Sequence, residues 1–98
     1  MTEKIYTVAV LQAKPGKAET LISALEELAA ETRNEEGAEE YGLIRDLKTP
    51  ETVLSYERWT SGEAEAAHWK TPHLKKALEQ MRDILDGAPT IYKGHKVI

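Results

Sequence analysis

Strand-like and helix-like patterns follow one another in a fixed order along this chain, and that order restricts the folds it can form. The first segment, KIYTVAVLQA at residues 4–13, is rich in β-branched and apolar residues and predicts a strand. Alternate positions place Ile5, Thr7, Ala9 and Leu11 on one face and Tyr6, Val8, Val10 and Gln12 on the other. Both faces are largely apolar, so we expect both to be covered.

Leucines at helical spacing follow a Lys-Pro-Gly turn and predict a helix from about Gly16 to Arg33, with Gly37 in the turn after it. Two extended segments, residues 41–47 and 53–59, then flank a turn at residues 48–51 and predict a β-hairpin. With the first segment, these patterns give the order strand, helix, strand, strand.

Helix-start signals recur after the hairpin. Thr60 followed by Glu63 has the pattern of a capping box and predicts a short helix. Thr71 as N-cap and Pro72 at the first helical position predict a second long helix, which we expect to end just before Gly87. The remaining segment, residues 89–98, predicts a last strand.

The resulting order is β-α-β-β-α-β, with a short additional helix before the second long one. It predicts an α+β fold of the ferredoxin-like, split βαβ type, in which a four-stranded antiparallel sheet carries its helices on one face. We expect a single domain over residues 1–98. The other face would expose apolar side chains, so we expect a second copy to pack against it sheet to sheet and enclose the space between the sheets.

Composition and charge exclude several classes of function. The formal net charge of the 98-residue chain is −4, which argues against a nucleic-acid partner because phosphate binding needs clustered positive charge. The absence of cysteine excludes disulfides, thiol catalysis and thiolate metal sites. No apolar run is long enough to span a membrane and no secretion signal is visible, so we expect a cytoplasmic protein without a membrane partner.

Two of the three histidines lie in AAHWKTPHLKK, residues 66–76. His68 and His73 are five residues apart with Pro72 between them, whereas two metal ligands on one helix face need a spacing of three or four. Glu57 could complete a 2-His-1-carboxylate set, but the pattern predicts no dedicated metal site. A structural role at a joint between two helices and a role as base or hydrogen-bond partner both remain open for these histidines.

Several aromatic and polar side chains are further candidates for a ligand site. Trp59 and Trp69 fit packing roles, and an indole N–H can also orient a polar aromatic ligand. Tyr41 and Tyr56 lie on predicted strands and could line a pocket with a hydroxyl. Asn34 is expected to cap or follow the first helix. The nearby acidic residues are interpreted as a solvated surface: Glu35, Glu36, Glu39 and Glu40.

As a whole, the chain resembles the antibiotic biosynthesis monooxygenase domain family, including its quinol monooxygenase-like members in the dimeric α+β barrel superfamily. The resemblance runs from about Tyr6 to the end and rests on KPGKAETLISALEELAAETRNEEGAEEYGLIRD and SYERWTSGEAEAAHWKTPH. Its most specific part is the ordered set Glu57, Trp59, Ser61, Ala64, His68, Pro72 and His73.

The resemblance implies a homodimer through the sheet faces, with one pocket per subunit for a polycyclic phenol or quinol. Members of the family insert oxygen from O2 without flavin, haem or metal, after deprotonation gives an anion that passes one electron to O2. For this chain it implies that Asn34 stabilises the anion, that His68 or His73 is the base or orienting group, and that Trp59 shapes the wall. The remaining candidate substrate contacts are Tyr41, Tyr56 and Trp69.

Two other functions remain open. One is a dimeric ligand-binding or stress-response module without catalysis, and the other is an isomerase of small phosphorylated sugars. The isomerase ranks below the oxygenase because the sequence offers no evident phosphate clamp. Haem degradation, known from other relatives, is disfavoured because the first strand has no Asn and His73 lies in the first turn of the second long helix.

Overall fold

One antiparallel sheet organises the chain, which a computed structural model describes for residues 3–98. The elements follow as β1 (Ile5–Gln12), α1 (Ala18–Thr32), β2 (Ala38–Arg45), β3 (Thr52–Trp59), α2 (Gly62–His68), α3 (Pro72–Met81) and β4 (Thr90–Gly94). The four strands pair in the order β2-β3-β1-β4. This confirms the predicted ferredoxin-like α+β fold. Within residues 3–98, no helix is both long and apolar enough to cross a membrane.

The alternation of side chains along the strands divides the sheet into an inner face, which the helices cover, and an outer face. On the inner face Thr7, Leu11, Val53, Ser55 and Trp59 are buried. The apolar residues among them share one hydrophobic core with the leucines of α1. On the outer face large apolar side chains remain exposed, namely Val8, Ile44, Tyr56 and Tyr92. The predicted division of β1 into two faces is therefore confirmed.

The turn between α1 and β2 is held close to α2. Gly37 lies in this turn with φ +92°, a conformation that favours glycine, and a Cβ there would come within 2.5 Å of the Ala64 Cβ. The guanidinium of Arg33 donates to the Tyr41 carbonyl at 2.8 and 3.1 Å, which ties the end of α1 to β2. The residues of this turn, among them Glu35, are thereby brought up against α2.

Side-chain caps define the joint between α2 and α3. Thr71 Oγ1 accepts from the Leu74 N–H at 3.3 Å and Pro72 follows in the first turn, as predicted. The prediction that Thr60 begins the short helix is wrong, because the extended residue Ser61 is the N-cap and its Oγ accepts from the Ala64 N–H at 3.1 Å.

The second long helix is shorter than predicted. It ends at Met81 instead of continuing to the residue before Gly87. Beyond its end the Ile84 carbonyl accepts from the Lys14 N–H at 2.9 Å. The Leu85 N–H still donates to the Met81 carbonyl at 3.0 Å, and the Lys14 bond joins this stretch to the segment after β1, a tertiary contact that local helix propensity does not reveal.

Candidate active site

A cavity of about 240 Å³ lies between the inner face of the sheet and the helices. Aliphatic side chains form most of its wall, among them Leu11, Leu25, Leu28, Leu74, Met81 and Ile91. The polar part of the wall includes Tyr41 on β2 and Glu57 on β3, which are directly opposite each other in the strand pairing. The cavity is thus formed by one chain, whereas the expectation from the strand pattern was a space between two facing sheets.

His68 and His73 converge on a single carboxylate oxygen. Nδ1 of His68 lies 2.7 Å from Glu35 Oε2, and Nε2 of His73 lies 2.6 Å from the same atom. A carboxylate oxygen only accepts hydrogen bonds, so each ring nitrogen that contacts it is a donor. The two histidines meet although they do not share a helix, because the chain turns between α2 and α3.

The two histidines have different surroundings. His68 lines the cavity with only 4% of its side chain exposed, and its ring centroid is 4.8 Å from that of Trp59. His73 is 20% exposed and lines a surface groove between α1 and α3 instead. Of the two candidate bases, His68 is therefore the one at the cavity wall.

Glu35, His68 and His73 also form a potential metal-ligand set, with one ligand atom each and all three atoms within 4.8 Å of one another. The carboxylate of this set is Glu35, where the sequence pattern had suggested Glu57. Ligands bound to tetrahedral zinc at about 2.0 Å lie roughly 3.3 Å apart. The two nitrogen–oxygen distances of 2.7 and 2.6 Å fit direct hydrogen bonds better.

Glu57 has its own partners in the polar part of the wall. It accepts from the Trp59 indole N–H at 3.0 Å and from the Ser55 hydroxyl at 2.9 Å. Burial nevertheless raises the pKa of Glu57 above its usual range, against the opposing effect of these two hydrogen bonds. Burial, and then the nearby carboxylates of Glu57 and Glu35, also raise the pKa of Tyr41 far above its usual range. The Tyr41 hydroxyl therefore stays protonated at neutral pH.

Trp69 occupies the cavity wall beside β4. Its indole N–H donates to Glu65 Oε2 at 2.6 Å, and the Lys93 ammonium lies 3.0 Å from the same oxygen. The ammonium is also 4.9 Å from the centroid of a Trp69 ring, within reach of a cation–π contact. These contacts fix the orientation of Trp69 and join β4 to α2.

Besides His73, three of the candidate residues lie outside the cavity wall. Trp59 is fully buried and contacts His68 and Glu57, which line the cavity. Tyr56 is on the outer face, 37% exposed. Asn34 is exposed at the end of α1, where its amide donates to the Ala30 carbonyl at 3.4 Å, in line with the expectation of a helix-end residue.

Glu35 is the site residue that the sequence pattern missed. It was interpreted as part of a solvated acidic surface, whereas only 12% of its side chain is exposed. Its neighbours Glu39 and Glu40 do lie at the surface, where both pair with Arg58. The one signal that could have distinguished Glu35 is Gly37, because a glycine two residues later allows the turn to approach α2.

The profile of the family described as "Antibiotic biosynthesis monooxygenase" matches residues 4–80. The protein "Putative monooxygenase YcnE" of Bacillus subtilis (strain 168) is 27% identical over 81 residues, which cover 83% of this chain and 85% of YcnE. The crystal structure of PA3566 from Pseudomonas aeruginosa covers 100% of this chain and 98% of its own, with a TM-score of 0.92 and 26% identity. A crystal structure of "a putative antibiotic biosynthesis monooxygenase" from Caulobacter crescentus CB15 covers 99% of this chain and 92% of its own, with a TM-score of 0.92 and 30% identity. The chain therefore belongs to the antibiotic biosynthesis monooxygenase family.

Proposed function

We propose that this protein is a monooxygenase that uses O2, without flavin, haem or metal, to oxidise a quinol or polycyclic phenol. The observation that carries the proposal is one buried histidine, His68, at the polar part of a mostly aliphatic cavity. Membership of the family and the likeness to YcnE, whose name is "Putative monooxygenase YcnE", support the reaction class. The cavity lies just below the usual ligand-pocket range of about 300–1,000 Å³, which favours a ligand of two or three fused rings.

The chemistry begins with proton transfer from the ligand. Nδ1 of His68 is engaged with Glu35, so Nε2 is the ring nitrogen available to take the phenol proton. The O–H bond breaks, the Nε2–H bond forms, and the resulting anion passes one electron to O2. The two radicals then combine in a carbon–oxygen bond. The proton returns from Nε2 to the peroxide and gives a hydroperoxide. The carbon that bears it then loses its hydrogen as a proton while the O–O bond breaks, so that water leaves and a carbonyl remains on the product.

The cavity wall contributes to this chemistry in two further ways. Its aliphatic side chains exclude water, which protects the anion and the peroxide from side reactions. The protonated Tyr41 hydroxyl is a hydrogen-bond donor at the polar part of the wall, suited to the oxygen of the anion. A phosphorylated sugar fits this wall poorly, since Lys93, the cation beside Trp69, is already paired with Glu65.

The functional unit we propose is a homodimer through the outer face. Val8 on the central strand β1 is 36% exposed, and its register partners Tyr56 and Tyr92 are 37% and 62% exposed. A second copy packed on this face would remove that apolar surface from water at about 25 cal/mol per Å². This is the face that the helices leave uncovered.

Oxygen consumption tests the proposal. The protein, supplied with reduced naphthoquinones and anthrones, should consume O2 above the uncatalysed rate, and His68→Gln should slow it by about 10²-fold or more, the scale of general-base loss. His95→Gln is the matched control, because His95 is exposed and bonds the Lys4 carbonyl away from the cavity. If the unmodified protein binds these compounds but consumes no O2 with any of them, the oxygenase proposal fails and a ligand-binding module is the better description.

A further inference from the structure

Glu35 Oε2 contacts both histidines, and the role assigned to Glu35 rests on the proposed function. We propose that Glu35 is a positioning residue that holds His68 in the tautomer with hydrogen on Nδ1, so that Nε2 faces the cavity without a proton and can take one from the ligand. His73 is the second donor to Glu35 and holds the carboxylate in place from the surface side.

The hydrogen bonds determine this tautomer. Which nitrogen of a neutral imidazole carries the hydrogen is decided by the partner that the other nitrogen meets. Nδ1 of His68 meets an obligate acceptor, Glu35 Oε2, at 2.7 Å. Among residues 3–98, no side chain or backbone group is hydrogen-bonded to Nε2 of His68, which belongs to a residue of the cavity wall. The unprotonated nitrogen is thus the one available to the ligand.

The ring of His68 is also restrained by packing. It lies between aromatic neighbours, with centroid distances of 4.8 Å to Trp59 and 6.0 Å to Tyr41. Only 4% of the side chain is exposed, and a ring flip would place the carbon Cδ2 against Glu35 in place of Nδ1 and cost that hydrogen bond. Packing and the carboxylate therefore select the same orientation.

Glu35 is itself held from two directions. Its backbone lies in the turn that Gly37 allows to approach α2, and Arg33 ties the start of the same turn to β2. Its Oε2 receives a second hydrogen bond from Nε2 of His73 at 2.6 Å, and Thr71 and Pro72 fix His73 in the first turn of α3. The series from the groove to the cavity is His73, Glu35, His68, with side-chain exposures of 20, 12 and 4%.

A divalent cation is the competing explanation for the same three side chains. A cation would bind Nδ1 of His68 and Nε2 of His73, so neither nitrogen could carry hydrogen. The hydrogen-bonded arrangement requires hydrogen on both. The protonation of these two nitrogens therefore distinguishes the two explanations without any assay of turnover.

Nitrogen-15 NMR of the imidazole rings in the purified protein at neutral pH is the first test. The expected result for His68 is a protonated Nδ1 and an unprotonated Nε2. Hydrogen on Nε2 of His68, in a neutral or a charged ring, would overturn the proposal. So would an unprotonated Nδ1 accompanied by stoichiometric zinc or iron in elemental analysis. If this spectrum is as expected but no quinol or anthrone is turned over, the proposed function fails and the assigned tautomer stands.

Glu35→Met is the matching variant, with Glu36→Met as its control because Glu36 is exposed in the same turn. We expect Glu35→Met to lose the fixed His68 tautomer and to lower kcat by about 10²-fold or more with a smaller change in KM. Glu35→Gln keeps an acceptor oxygen and should retain the tautomer and part of kcat. If Glu35→Met folds with the His68 tautomer of the parent, Glu35 does not position His68. If it does not fold, Glu35→Gln and the spectrum of the parent decide.

Discussion

The inner and outer faces of the sheet carry different kinds of side chain, although alternate residues of the same strands build both. On the inner face of β3, Ser55 and Glu57 are buried and reach the cavity. On its outer face Tyr56, which lies between them in sequence, is 37% exposed. A period of two along one strand thus separates the residues of a candidate site from those of a candidate interface.

The comparison also explains why two tyrosines on neighbouring strands have different positions. Tyr41 pairs with Glu57 in the β2–β3 register and is buried beside the cavity. Tyr56 pairs with Gly42, and a Cβ at Gly42 would overlap the Tyr56 ring, so the ring lies flat over the glycine on the outer face. The register, and not the residue type, decides which tyrosine can meet a ligand.

A charge on the outer face is expected to have the largest effect. Val8→Glu places a carboxylate in the middle of the proposed dimer interface, where burial without a partner is strongly unfavourable. Light scattering at micromolar concentration should give twice the 11.0 kDa chain mass for the parent and the single chain mass for the variant.

Val97→Glu is the matched control for that experiment, because Val97 is 94% exposed after the last strand. It should leave the measured mass of the assembly unchanged. A parent protein that scatters as a single chain, or a Val8→Glu variant that keeps the parent's mass, would contradict an interface on the outer face.

On the inner face, replacement of Glu57 is expected to have a smaller effect than Val8→Glu, namely a change in how stability depends on pH. Because burial raises the folded-state pKa of this carboxyl above its value of 4.5 in the unfolded chain, the folded state binds the proton more tightly. The contribution of Glu57 to stability therefore falls as pH rises from about 4.5 through the folded-state pKa. Glu57→Gln cannot ionise, so the free energy of unfolding of this variant relative to the parent should increase from pH 4.5 to pH 8.

Urea denaturation at fixed protein concentration, at both pH values, measures this difference. Fixed concentration matters because a dimer gains apparent stability by mass action. Glu36→Gln serves as the exposed control and should show no comparable trend. If the free energy of unfolding of Glu57→Gln relative to the parent stays constant or decreases towards pH 8, ionisation of Glu57 does not destabilise the folded state.

The fold could be predicted from the sequence because its signals are local. Two-residue periodicity in β1, leucine spacing in α1 and the Thr71–Pro72 start of α3 each depend on neighbouring residues, and each was confirmed. The end of α3 at Met81 was not predicted, and the stretch after it is joined to the segment after β1 by a backbone bond from the Lys14 N–H to the Ile84 carbonyl, which is not local in sequence.

The site was only partly predictable for the same reason. The sequence singled out His68, but its partner Glu35 is 33 positions away, in an acidic run that resembles a solvated surface. Spacing within one helix argued against a metal site at the two histidines, and the predicted joint between two helices did not reveal that both would meet Glu35. Long-range contacts bury Glu35, and the composition of the residues around it in the sequence gives little sign of that burial.

Methyl NMR during titration with 2-naphthol tests most directly whether the inner face holds the ligand. Leu11, Leu25 and Met81 report on the cavity, whereas Val8 and Ile44 report on the outer face. We predict saturable shifts of the cavity methyls with one ligand per chain and little change at the outer methyls. Shifts confined to the outer methyls, or no shift at saturating naphthol, would contradict a ligand site between the sheet and its helices.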